Sequence, residues 1–336
     1  MAKLTTLRKS IPHCSKSALH KILHYVKEQG VPDMIYPHQM AEGCQEVIQN
    51  MSAYGPLIAH HKVMAKTGVE KTISLVNLLS WIHGAFKAGG GFYALLKQTM
   101  NKCDSALSLC LYADEITPGN VLANQPTRKL WAIYATIKEF GCAIQNESAW
   151  ITLGLVRSSI VSSLDGHLSQ VFAVLLNSIF NNPCANVTDL GLQLQEPGGG
   201  QPCPKRLKLQ VGFFIMDGQA AKFAWSTKGD AGSRFCQHCA NVFQLAADDV
   251  NDEENGHMSE VSKYTHFSQL HLVESHEIFQ SWDRMSARHG ATSKQEFAMW
   301  ERAAGLSYSP YSLLAKQDLR HVLRPADQNC WDWMHC

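Results

Sequence analysis

Two apolar runs that each end in an aspartate constrain this chain more than any other feature of it. Ala106 to Asp114 reads ALSLCLYAD, and Lys208 to Asp217 reads KLQVGFFIMD. Between them lie Leu130 to Ile137 (LWAIYATI) and Trp150 to Val161 (WITLGLVRSSIV), both rich in the β-branched and aromatic residues that strands favour. Ser163 to Phe180 then carries Leu164, Leu168, Val171, Phe172, Leu175 and Ile179 at spacings of three and four, which predicts a helix. Asn181-Asn182-Pro183 stops it. The predicted order is strand, strand, strand, helix, strand, with an aspartate closing the first strand and another closing the fourth.

That order predicts an α/β fold with an RNase H-like mixed sheet. Strand ends on neighbouring strands can bring two carboxylates onto one divalent ion, and paired ions serve phosphoryl transfer by activating one oxygen and stabilising the other. Asp114 and Asp217 are therefore the candidate catalytic pair, with Mg²⁺ or Mn²⁺ as the expected cofactor. Aspartate also opens turns for purely local reasons, and Asp114 is followed by the turn chemistry of Pro118-Gly119-Asn120. Lys205, Arg206 and Lys208, just ahead of the fourth strand, are candidate nucleic-acid contacts or a solvated loop.

The flanking regions divide the chain into three expected parts. Residues 1–100 read as a helical N-terminal region, 101–225 as the first part of the core, and 226–336 as a CxxC-containing insertion followed by the start of the remaining core. In the first part, Lys3, Arg8, Lys9, Lys16, Lys21 and Lys27 appear before any acidic residue, as in a targeting peptide, a DNA-contacting arm or a solvated helix face. Leu19, Ile22, Leu23 and Val26 predict a helix capped by Ser15 or Ser17 and ended by Gly30. Ala41 to Trp81 reads as mostly helical, and the glycines at 89–91 as a turn without the lysine of a phosphate loop. Ser268 to Gly305 reads as helical again.

Cys236-Gln-His-Cys239 has the spacing of half a tetrahedral zinc site. The other two ligands would come from His266, His271 or His276, with His257 and His238 behind them; a thiol redox pair is the rival reading. The eleven cysteines lack regular spacing, which fits a reducing compartment, nuclear or cytoplasmic, with most of them buried as small apolar groups. No apolar run reaches the ~18–20 residues of a membrane helix, so neither a membrane nor secretion is expected. The net charge of +1 says nothing of partners, because nucleic-acid binding depends on local cation clusters. The chain closes on Trp331-Asp332-Trp333-Met334-His335-Cys336, an abrupt aromatic run that reads as a fragment's edge or a docked terminus.

Three of these stretches coincide in one family. LYADEITPGN with KLWAIYATIKEFG resembles the first-aspartate region of CACTA-type (Tnp2-like) DDE transposases. FFIMDGQAAKFAWSTKGDAGSRFCQHC resembles their second-aspartate region, and WDWMHC is similar to their later Asp-x-Met-His motif. The resemblance covers about residues 105 to 336. It implies that Asp114 and Asp217 hold the metal, that Cys236 and Cys239 belong to a zinc-binding insertion, and that Asp332 and His335 lie near the rest of the site. It implies DNA as partner, with a homo-oligomer allowed, and strand cleavage and transfer as the activity. The family continues to a final glutamate beyond this sequence, so a catalytically inactive DNA- or protein-binding remnant with a zinc module is the alternative.

Overall fold

Apolar alternation and helix caps account for most of what the chain builds. The computed structural model describes residues 15–30, 42, 51–117, 128–198, 201–234, 238–239 and 272–331. Two units are present, Met1–Asn50 and Met51–Cys336. The first contributes helix α1 (Lys16–Gln29), where the Ser15 hydroxyl accepts from the Ala18 amide at 3.1 Å and Gly30, at φ 81°, ends the helix as expected.

The second unit opens with the short strands β1 (Met51–Ser52) and β2 (Gly55–Pro56), then the antiparallel pair β3 (Ile58–Met64) and β4 (Glu70–Val76). This overturns the helical reading of 41–81 for that stretch. In β4 the buried residues are Ile73 and Leu75, alternating with exposed Thr72 and Ser74, a period of two. The helical spacing belongs to the next element, α2 (Leu78–Ala88), whose Leu78, Leu79, Ile82 and Phe86 are fully buried. Asn77 caps it, accepting from the amides of Leu79 and Ser80. Gly89, at φ 82°, breaks the chain into α3 (Gly90–Lys102), the expected glycine turn.

Strands β5 (Leu107–Ile116), β6 (Leu130–Ile137) and β7 (Ile151–Arg157) form an antiparallel meander. The third strand is shorter than its β-branched run: Ser158–Ser163 is a short helix, α4. Gly166, at φ 91°, separates it from α5 (His167–Phe180), so the helix predicted from Ser163 begins four residues later than expected. Leu168, Val171, Phe172, Leu175 and Ile179 of α5 are fully buried, and the Phe172 ring meets that of Phe214 at 5.3 Å. Phe214 lies in β8 (Leu209–Met216), which pairs parallel with β5. After β8 come α6 (Gly218–Ala224), α7 (Ser275–Arg288), α8 (Lys294–Ala304) and β9 (Asn329–Trp331). Strand β9 pairs parallel with β8, which completes a mixed five-stranded sheet in the order β7-β6-β5-β8-β9.

One irregularity sets the alignment that matters for function. Leu109 pairs with Val211 but Cys110 with Phe213, so Gly212 is an extra residue in β8. A Cβ there would lie 3.0 Å from Ser108 Cβ and 3.1 Å from the Leu109 carbonyl oxygen, closer than packing allows without a shift. Beyond this bulge the two strands run in step to Ala113 and Met216. Among the described residues no helix is long and apolar enough to cross a membrane.

Candidate functional site

The parallel pairings of β5, β8 and β9 end on one row. Ala113 of β5 pairs with Met216 of β8, and Met216 pairs with Trp331 of β9. In the sequence each of these residues is followed by an aspartate: Asp114, Asp217 and Asp332. Asp114 lies within β5, two residues short of its end. Asp217 has extended backbone (φ −71°, ψ 173°), so β8 effectively continues one residue before α6 begins.

Side chains alternate across a sheet. Ala113 and Met216 are both buried in the core, so Asp114 and Asp217 turn to the opposite face, where both are half-buried. Adjacent strands lie about 4.8 Å apart, which brings the two carboxylates to neighbouring positions on that face. Asp114 stands across from the small Ala132 of β6, and its Oδ2 accepts a long hydrogen bond of 3.5 Å from the Tyr112 hydroxyl. Tyr112 continues this face, with the rings of Tyr134 and Trp150 each 6.2 Å away. Asp217 Oδ1 accepts from the Ala220 amide at 2.6 Å and so caps α6, leaving Oδ2 outside any hydrogen bond among the described residues. Two hard anionic donors from adjacent strands suit Mg²⁺ or Mn²⁺. Among the described residues no group of three or more His, Cys, Asp or Glu is arranged to hold a metal ion. Asp332 and His335 lie outside the described residues.

Glu115, next along β5, turns to the other face and does different work. Its carboxylate is 2.7 Å from Lys129 Nζ. Burial pushes its pKa up, but the hydrogen bond and charge of Lys129 outweigh that and hold it below the usual carboxylate range. It ties the start of β6 to the end of β5.

The other predicted residues fall elsewhere. Lys205, Arg206 and Lys208 border a cleft of about 320 Å³ at the beginnings of β5 and β8, with Asp104 and Leu190. Lys205 is committed there, donating to the Cys103 carbonyl at 2.8 Å and to Asp104 at 2.9 Å. Nine residues of extended chain at ~3.3 Å each put Lys208 about 30 Å from Asp217, at the opposite end of the sheet. The basic cluster and the aspartates are thus two separate features.

Of the proposed zinc ligands, Cys236, His266 and His271 lie outside the described residues. Cys239 is buried and forms an isolated antiparallel bridge with Leu272. Its neighbour His238 reaches the Ala326 carbonyl at 3.2 Å through Nδ1 and Asn329 Nδ2 at 3.4 Å through Nε2, so this segment sits against the start of β9. Of the described cysteines, Cys110, Cys203 and Cys239 are buried, whereas Cys142, Cys184 and Cys330 are exposed. Burial therefore holds for fewer of them than expected. It pushes the Cys110 thiol up to about 11.

A second polar grouping, at the same end of the sheet as the aspartates, had no signature in the sequence. Lys66, His167 and Lys222 come from the β3–β4 turn, the first residue of α5, and α6, and meet in one cleft. No protein-family model matches the chain, and no curated protein matches it.

Proposed function

We propose that this chain is a transposase-derived protein with an RNase H-like core that cleaves and transfers DNA strands with the help of divalent metal. The observation that carries the reading is the row Ala113, Met216, Trp331 across three adjacent parallel strands, each residue followed by an aspartate. A meander of three strands, a crossover helix and two further parallel strands is compatible with that core. Asp114 and Asp217 would hold Mg²⁺ or Mn²⁺, and Asp332 and His335 are kept as the further site residues that the transposase resemblance implies. When bound, the metal supplies charge stabilisation at the phosphate and an activated oxygen nucleophile. The chain's own part is positional. The cap bond from Ala220 fixes the Asp217 rotamer, and the strand pairing fixes the spacing of Asp114 from it. Cys236 and Cys239, with His266 and His271, would hold Zn²⁺. Lys205, Arg206 and Lys208 would touch DNA only along a path far from the cut, which leaves them outside the reacting group.

A second reading is favoured by one observation. Capping α6 already gives Asp217 a structural reason to be aspartate, so the core also suits a scaffold that binds DNA or protein without catalysis. Single-turnover cleavage of end-labelled duplex DNA, with Mg²⁺ or Mn²⁺ present or chelated, separates the two. The catalytic reading expects metal-dependent nicking that falls to background in Asp114→Asn, Asp217→Asn and Asp332→Asn. Nicking unchanged in these variants, or its absence from the wild type while DNA binding persists, overturns it.

A further inference from the structure

The cleft that holds Lys66, His167 and Lys222 has a volume of about 290 Å³ and belongs to the helix-covered side of the sheet. The Phe223 ring, in its wall, meets Trp131 of β6 at 6.3 Å and stacks on His167 at 4.9 Å with an interplanar angle of 22°. Lys66 Nζ donates to the Ser162 carbonyl and to His167 Nε2, each at 3.1 Å. That uses two of its three donors and leaves one for a ligand. Burial, then the Lys66 charge, pushes the His167 pKa down, so the ring is neutral near pH 7 and serves Lys66 as an acceptor. Lys222 is half-buried and has no carboxylate partner among the described residues. Asp165 is the one carboxylate in the wall, so two cations face one anion.

Hydroxyls complete the lining. Ser226 and Ser309 are buried, and both border the cleft. His167 and Ser226, at φ 49° and 53°, are the non-glycine residues with left-handed backbone among those described, and both lie here. Such a conformation is costly for a residue with a side chain and tends to persist where a site needs it.

We infer that this cleft binds a phosphate group, with Lys66 and Lys222 supplying charge-assisted hydrogen bonds and the serine hydroxyls supplying neutral ones. The residues are not those of the carboxylate row, so the inference stands apart from the metal reading. Calorimetric titration of the full chain, with divalent metal chelated, tests it using inorganic phosphate, a 5′-phosphorylated single-stranded oligonucleotide, and the same oligonucleotide without its phosphate. Lys66→Gln and Lys222→Gln are each expected to weaken binding about tenfold, as loss of a charged hydrogen-bond partner does. Preference for the phosphorylated strand over its bare twin identifies a nucleic-acid terminus as the source. Binding of inorganic phosphate without that preference identifies a free phosphate. Lys66 is exposed, so its variant keeps the fold and reads the site even if Lys222→Gln melts early. The inference is overturned if neither phosphate nor the phosphorylated strand binds, or if Lys66→Gln binds as the wild type does.

Discussion

Asp217 is placed to cap α6 with one oxygen and to hold a metal with the other, and two substitutions pull these roles apart. Asparagine keeps an acceptor at the cap, since Asn and Asp are about equally good there, while removing the charge that a metal needs. Alanine removes both. The bond at stake is the 2.6 Å contact from the Ala220 amide, and losing such a cap costs about 1 kcal/mol. A metal at a hundred times its dissociation constant stabilises the folded state by about 2.7 kcal/mol. Urea denaturation at neutral pH, with Mg²⁺ and with chelator, reads both quantities. The wild type should gain with Mg²⁺. Asp217→Asn should match it in chelator and gain nothing from Mg²⁺, whereas Asp217→Ala should lie about 1 kcal/mol below Asp217→Asn under both conditions. If Asp217→Asn loses as much as alanine in chelator, the cap argument is wrong. If it keeps the Mg²⁺ gain, the ligand argument is wrong.

Two further outcomes test the packing and the charge. A Cβ on Gly154 of β7 would sit 2.5 Å from Leu75 Cδ2, so Gly154→Ala should destabilise by about 1–3 kcal/mol; adding Leu75→Ala should yield less than the summed losses, in a double-mutant cycle read by urea melts. His61, His83 and His167 all have pKa values pushed below the ordinary 6.5, by burial first and then by His60, Lys87 and Lys66 respectively. The unfolded chain then binds more protons, so their contribution is full above about pH 6.5 and is lost as pH falls through the folded values. The denaturation midpoint should fall as pH drops below about 6.5, and replacing His61 and His83 with Gln should flatten that fall.

The meander, the crossover helix and β8 were legible because each is an apolar run with its own stop signal, such as Asn181-Asn182-Pro183 after α5. The β3–β4 pair was not, because seven residues of period-two alternation in β4 run straight into the strong helical spacing of α2. Strand β9 has three residues and no pattern; its pairing with Met216 is what places Trp331, and with it the sequence position of Asp332. The distance of Lys208 from Asp217 could have been read beforehand, since one precedes β8 and the other comes after it. The meeting of Lys66 with His167, 101 residues apart, depends on how the β3–β4 turn folds onto the start of α5. No local pattern encodes that contact.

The central claim is that the carboxylates of Asp114 and Asp217 share a divalent ion. Crystals soaked in Mn²⁺ and measured at the manganese absorption edge test it most directly. An anomalous peak within about 2.1 Å of one oxygen from each aspartate is the predicted result. Peaks elsewhere with none between Asp114 and Asp217, or a Mn²⁺ that stays after both are changed to Asn, would contradict it.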